Sequence, residues 1–327
     1  MSYKIIDLHC DLLGYLECHE GKEAALHEES HCSIPLLKKG NVALQTLAIF
    51  TETKEGSVQS AKRQLALYND LLKDYKGDVA PFAEFHEENK RVHFILAIEN
   101  GSGILDEKEP FDLLFERLEL FQEYGGPLLY VSLTWKTENR FGGGDDTKVG
   151  LKREGEVFLE LLSDQNISID LSHTSDALAD DILNYIHKKN LKLVPIASHS
   201  NFRHVLDCPR NLSDPIAKEI IALGGIIGIN FVRRFVGDQR TDFLSHIRHG
   251  IELGGEKALC LGADFFGGLA LPKLENLKPF FQTEFSDSSC YQRFLELLET
   301  EFSREEVNGI AHENMEIFLR QKGFNHI

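Results

Sequence analysis

Positive charge is scarce in this 327-residue chain: 35 Lys and Arg face 52 Asp and Glu, for a net charge of -17. Phosphate backbones are bound by clustered Lys and Arg, so no nucleic-acid partner is expected. Long apolar runs are missing too. No stretch approaches the roughly 20 residues that a membrane span requires. The N-terminus carries Asp7, His9 and Asp11 where a secretion signal would need an apolar core. The six cysteines (10, 18, 32, 208, 260 and 290) are scattered and never form C-x-x-C. Without a signal they read as reduced thiols in a cytoplasmic protein. No G-x-G-x-x-G opens a first helix, which removes the signature of a dinucleotide-binding sheet. Gly142-Gly143-Gly144 follows a strand, but Asp145 and Asp146 come next where a phosphate loop would carry basic or neutral groups, so it reads as a flexible loop. No linker, repeat or low-complexity segment divides the chain, and 1–327 reads as one domain.

What is present is a regular alternation. Apolar, β-rich runs at 4–8, 42–49, 92–98, 128–134, 167–171, 193–197, 225–230 and 258–262 read as strands. Amphipathic segments lie between most of them, at 61–75, 111–124, 151–164, 176–189, 214–223 and 241–253. Phe111, Leu114, Phe115, Leu118 and Phe121, for example, make a helical stripe rather than a strand alternation. Parallel strands need crossovers of helix length. Eight strand–helix units in about 250 residues therefore predict an α/β fold of the closed (β/α)8 TIM-barrel type. A long loop is expected over 270–287, where Pro272 and Pro279 interrupt any periodicity, with C-terminal helices after it.

Polar residues collect at the strand ends of this map. His9 and Asp11 follow the first run two residues apart, so on a continuing strand they face one point while Cys10 faces away. Glu99 ends the third run, His173 the fifth, His199 the sixth and Asp264 the eighth. Barrel enzymes build their active sites at these C-terminal strand ends. Each residue alone has a structural explanation: a cap, a turn, a hydrogen-bonded core histidine. Together in one mouth, unpartnered carboxylates and imidazoles are costly, and divalent cations supply the missing charge. Three histidines and three carboxylates exceed one tetrahedral zinc. They suit two cations about 3.5–4 Å apart that share a bridging carboxylate and a water.

The most specific segments are Asp7-Leu8-His9-Cys10-Asp11, Ile169-Asp170-Leu171-Ser172-His173-Thr174-Ser175, Ser198-His199-Ser200-Asn201 and Pro209-Arg210-Asn211-Leu212. Leu261-Gly262-Ala263-Asp264-Phe265-Phe266-Gly267 and Gly309-Ile310-Ala311-His312-Glu313-Asn314 complete the order. In that combination the chain resembles the renal (membrane) dipeptidase family, a metallopeptidase branch of the amidohydrolase superfamily. The resemblance implies zinc-dependent hydrolysis of dipeptides by a metal-bridged hydroxide. It places His9 and Asp11 on one Zn2+, His173 and His199 on the other, and Glu99 as the bridge. Mn2+ or Fe2+ would accept the same ligands. Asp264 would handle the protons, and Arg210 would hold the substrate's C-terminal carboxylate, a pairing that guanidinium suits. Tolerance of a D-residue at the C-terminal position and a homodimer are expected by the same analogy.

Three positions depart from the family pattern. Trp135 stands in Leu133-Thr134-Trp135 where a histidine is usual, and Phe266 replaces a second aspartate after Asp264. Asn230 to Phe235 replace a tyrosine-bearing loop, leaving Phe235 or the two arginines Arg233 and Arg234 there, with Trp135 and Phe235 taken as candidate substrate contacts. A mouth this apolar keeps a second reading open, an amidohydrolase of the same two-metal type acting on another small amide such as an N-acyl amino acid. A third is a non-catalytic, metal-stabilised protein.

Overall fold

The computed structural model describes residues 2–19, 22–86, 90–267 and 278–324. Among the described residues nine strands form one parallel sheet: β1 (Ile5–Cys10), β2 (Val42–Phe50), β3 (Val79–Pro81), β4 (Val92–Glu99), β5 (Leu128–Ser132), β6 (Ser168–Asp170), β7 (Pro195–Ile196), β8 (Ile227–Ile229) and β9 (Leu259–Leu261). Eight of them run in the order β7-β6-β5-β4-β2-β1-β9-β8. Ala197, just past β7, pairs with Ile227 of β8 and closes the ring. The fold is the expected (β/α)8 barrel. The ninth strand, β3, was not expected. It is three residues long and lies against the start of β4, too short to show a period.

The crossover helices fall within a few residues of their sequence-derived bounds: Ser57–Asp74, Leu113–Gly125, Arg153–Asp164, Asp176–Lys189, Asp214–Ala222 and Arg240–Glu252. Two early helices, Leu12–Cys18 and Ile34–Lys39, were missed because each spans less than two turns of pattern. Strand alternation sorts the core into two layers. Phe94, Leu96 and Ile98 of β4 pack outward under the helices, while Ile95 and Ala97 join Ile6, Leu8, Tyr130 and Ile196 in the inner cluster. Met315, Phe318 and Leu319 of the C-terminal helix Asn314–Gln321 join that inner cluster. Of the loop expected over 270–287, residues 270–277 lie outside the described residues. The remainder carries a bridge from Phe281 to Val232 and a short 3-10 turn at Thr283–Phe285.

Continuing strand alternation from His9 to Asp11 fails. Pairing of β1 with β2 slips between Asp7 and Cys10, so His9 turns inward next to Leu8 instead of opposite to it. Asp11 then leaves strand geometry altogether, at φ -100° and ψ 35°, ahead of the helix Leu12–Cys18. A register slip of this kind re-aims a side chain. Cys10 packs in the outer cluster.

The barrel is closely packed where β8 meets β9. A Cβ on Gly228 would stand 2.0 Å from the Ser198 carbonyl oxygen, and a Cβ on Gly262 would stand 2.0 Å from the same atom. Both glycines therefore let the Ser198-His199 turn lean inward. Gly228→Ala and Gly262→Ala should each lower stability in urea unfolding by about 1–3 kcal/mol. Gly77→Ala, whose added carbon meets nothing, should change it by no more than roughly 0.5 kcal/mol.

Candidate metal centre

All six residues expected at the mouth converge there. Glu99 continues the inward face of β4 and sits at the middle, 2% exposed. Its Oε2 lies 3.3 Å from His9 Nε2, and its Oε1 lies 3.2 Å from His173 Nε2 and 3.8 Å from His199 Nε2. Asp11 Oδ1 and Asp264 Oδ1 approach His9 Nε2 at 3.8 and 3.7 Å. One carboxylate thus faces two groups of donors, one on each oxygen. His173 and Asp264 both adopt left-handed backbone, at φ 65° and 60°. Each such residue costs of order 1–3 kcal/mol and persists only where its surroundings hold it.

The imidazoles are aimed by their far nitrogens. The Tyr130 hydroxyl donates to the Leu8 carbonyl at 3.0 Å and stands 2.7 Å from His9 Nδ1, so it accepts that nitrogen's proton. Ser198 Oγ donates to Asp170 Oδ2 at 2.7 Å and accepts from His199 Nδ1 at 2.6 Å. His173 Nδ1 faces Asp145 Oδ1 at 3.4 Å. In each ring the Nε2 lone pair is left pointing at the centre. His9 Nε2, His199 Nε2, Asp11 Oδ1 and Glu99 Oε2 are all buried without a hydrogen-bond partner. Unpartnered buried atoms cost roughly 1–3 kcal/mol each, and this set of imidazole and carboxylate atoms is the donor set of a divalent cation.

The protons show the same unmet demand. Burial would lower the pKa of His9, but the charges of Glu99, Asp11 and Asp264 outweigh it and hold the ring up at about 10. Burial would raise Glu99, and His9 and His173 instead hold it below the usual carboxylate range. Burial, reinforced by the charge of Glu99, pushes Asp11 well up and Asp264 up to about 6. Burial together with His9 and Arg210 pushes His199 well below its ordinary value. The buried charges here act strongly on one another, and a divalent cation would add positive charge among the carboxylates. Such cations bind imidazole in its neutral form.

Arg210 reaches the same mouth from its loop. Its guanidinium donates to Ser200 Oγ at 2.7 Å and to the His199 carbonyl at 3.0 Å, which leaves Nε without an acceptor. It lies 5.5 Å from the Phe235 ring. Trp135 packs edge-on against Phe50 at 4.9 Å and stands 6.0 Å from His173. A cavity of about 550 Å3 opens over the centre, walled by Phe50, Trp135, Phe235, Phe266 and Phe280.

Four supporting residues were not found in the sequence. Asp7 and Asp170 are both fully buried. Asp7 accepts from the backbone N–H of His9 and of Ala263, from Gln45 and from the Tyr291 hydroxyl. Asp170 accepts from the N–H of Ser172 and of Ser198 and from the hydroxyls of Ser132 and Ser198. Each thereby clamps two strand ends that carry the central side chains. Asn230 donates to Asp264 Oδ2 at 2.9 Å and to the His199 carbonyl at 3.1 Å. Asp145 is the fourth, and it corrects the reading of its loop as flexible. Gly142, Gly143 and Gly144 are buried, Gly144 bridges to Thr174, and a Cβ on it would meet the Trp135 carbonyl oxygen at 1.8 Å. The glycines serve close backbone packing, which delivers Asp145 to His173. The usable signal was a carboxylate directly after that packed turn.

Fold and geometry together define a barrel with a histidine–carboxylate cation centre at its C-terminal mouth. The sequence pattern of the membrane dipeptidase family (peptidase family M19) matches residues 1–322, and the chain belongs to that family. An uncharacterized dipeptidase of Schizosaccharomyces pombe is 24% identical over 318 residues, covering 85% of this chain and 72% of its own. An uncharacterized protein encoded beside pqqA in Klebsiella pneumoniae is 29% identical over 231 residues, or 64% of this chain and 80% of its own. Among solved structures, a metallopeptidase from Rhodobacter sphaeroides, bound to a phosphinate mimic of L-Ala-D-Ala, superposes with a TM-score of 0.81. It is 20% identical and covers 98% of this chain and 100% of its own. Members of this family are dipeptidase-type metallopeptidases. No helix among the described residues is long and apolar enough to cross a membrane.

A cation in this centre should stabilise the fold. Zn2+ at about a thousandfold its Kd should raise unfolding free energy by about 4 kcal/mol, and a chelator should reverse it. Asp170→Asn, which loses an acceptor for Ser198, should weaken cation binding about 10–100-fold, read by calorimetry.

Proposed function

We propose that the protein is a zinc-dependent dipeptidase with two cations at the mouth. The observation that carries this reading is the placement of Glu99, with one oxygen toward His9 and the other toward His173 and His199. His9, Asp11 and Glu99 would hold one cation, and His173, His199 and Glu99 the other. Three imidazoles favour zinc over harder metals, although Mn2+ or Fe2+ fits the same donors. When bound, the cations supply Lewis-acid polarisation and acidify water.

The chain's own residues do the rest. Arg210, anchored on the His199 carbonyl and Ser200, grips the C-terminal carboxylate and so fixes which amide bond lies over the centre. Asp264 takes the proton of the attacking water at Oδ1 and returns it to the leaving amine. Asn230 donates to Oδ2, which keeps Oδ1 turned toward the reacting atoms. The aromatic walls exclude bulk water from this exchange. A D-residue at the C-terminal position is included in the proposal. The six unpaired cysteines fit a reducing, cytoplasmic setting.

The aromatic walls also favour a second reading, an N-acyl amino acid hydrolase using the same centre. Turnover of an L,L and an L,D dipeptide against a panel of N-acyl amino acids separates the two, with metal content measured on the same sample. The dipeptidase reading expects about two equivalents of metal and dipeptide turnover. Two equivalents with turnover of N-acyl amino acids alone would replace it. Asp264→Asn should keep the fold and the metal yet lower kcat by about 100-fold or more.

A further inference from the structure

Positive charge, scarce over the whole chain, gathers at the mouth. Lys136 and Arg234 line the cavity over the centre, and both also line the adjoining chamber of about 860 Å3 that contains Arg210. They therefore stand where the two spaces join. Several basic residues of this protein are held by carboxylates: Arg203 by Asp176, Arg140 by Glu154, and Arg233, next to Arg234, by Asp238 at 2.7 Å. Arg234 has no such pair: among the described residues no carboxylate lies within ion-pair distance of it, and it is exposed. Lys136 stacks on the Trp135 face, 4.7 Å from the ring centroid, also without an ion pair. Its charge helps to hold Asp145 low.

These cations are not loosely placed. Asn211, the neighbour of Arg210, donates to the Phe235 carbonyl at 2.9 Å, and the Arg210 guanidinium rests against the Phe235 ring. The loop of Arg210 and the short helix Arg233–Val236 are therefore tied into one unit. On the other side, the Lys136 carbonyl accepts from Asp146 N–H at 3.0 Å, and Gly144 packs against the Lys136 backbone. The backbone that carries both basic residues is thus tied down beside the residue that would grip the substrate's α-carboxylate.

We propose that Lys136 and Arg234 form a second anion subsite, which selects dipeptides whose C-terminal residue carries an acidic side chain. This rests on the dipeptidase reading of the centre and on Arg210 taking the α-carboxylate. A side-chain carboxylate of Asp or Glu leaves the same α-carbon, so it enters the space that Lys136 and Arg234 border. Charge-assisted hydrogen bonds to it are stronger than any an amide side chain makes. The isosteric amides Asn and Gln fill the same volume without the charge.

The test compares kcat/KM for Ala-Glu against Ala-Gln, with the second residue in both configurations, on the zinc-loaded protein. The wild-type chain should favour Glu by about tenfold, the ratio that ~1.4 kcal/mol provides. Arg234→Gln and Lys136→Gln should each shrink that ratio severalfold, and the double variant should bring it close to one. Salt should weaken the preference, because these cations face solvent. A wild-type ratio near one, or variants that slow both substrates equally, would overturn the subsite while leaving the dipeptidase reading intact. Calorimetric binding of glutamate against glutamine asks the same question without turnover. Selective glutamate binding, lost in the double variant, by a protein that cleaves no dipeptide would keep the subsite and remove the dipeptidase reading. Equal binding of the two in such a protein would remove both.

Discussion

The structure turns on the negative charge of Glu99, set in a buried chamber with imidazoles on both of its oxygens. A lone carboxylate at that depth would be neutralised by a proton. Here it is held ionised by His9 and His173, and the conflict passes to its neighbours, with Asp11 and Asp264 driven toward protonation and His199 toward neutrality. Under the proposed function, divalent cations on either side of the carboxylate would resolve the conflict, and the imidazole and carboxylate atoms left without partners are suited to hold them.

Such a centre survives only if the backbone beneath it cannot relax. Asp7 and Asp170 provide that rigidity in parallel ways. Each is fully buried, and each collects two backbone N–H groups from two strand ends. Asp7 joins the end bearing His9 to the end bearing Asp264, and Asp170 joins those bearing His173 and His199. Charged acceptors make the stronger hydrogen bonds, so the two clamps offset the left-handed backbone at His173 and Asp264. The paired glycines Gly228 and Gly262 complete the arrangement from below by making room for the Ser198 carbonyl.

Around this acidic floor the mouth changes character twice. Its walls are aromatic, Trp135 and Phe266 among them. Its rim is basic in a protein that is otherwise strongly acidic. In the proposed function an anionic substrate would be drawn toward the rim and held against apolar walls, with its reactive bond over the centre. On that reading each layer would add a different selection: charge for entry, shape for retention, imidazoles and carboxylates for chemistry.

Local pattern carried much of this. Eight strands, six crossover helices and the barrel were legible because fully buried parallel strands leave continuous apolar runs, and amphipathic helices leave a 3.6-residue period. The six central residues were legible because they end those runs. Elements too short to show a period, such as Val79–Pro81 and Leu12–Cys18, left no such trace. Nor did the supporting partners. Asp7 and Asp170 lie inside strands and resemble any other polar residue there, and Asn230 and Asp145 act on side chains 34 and 28 residues away. The slip in β1 that turns His9 inward depends on how that strand pairs with its neighbour, a property of two segments rather than of one. Sequence alone thus determined the layers and the chemical types at the mouth, through short-range periodicity. Which atoms face one another, and which remain without partners, was decided only when the ring of strands closed.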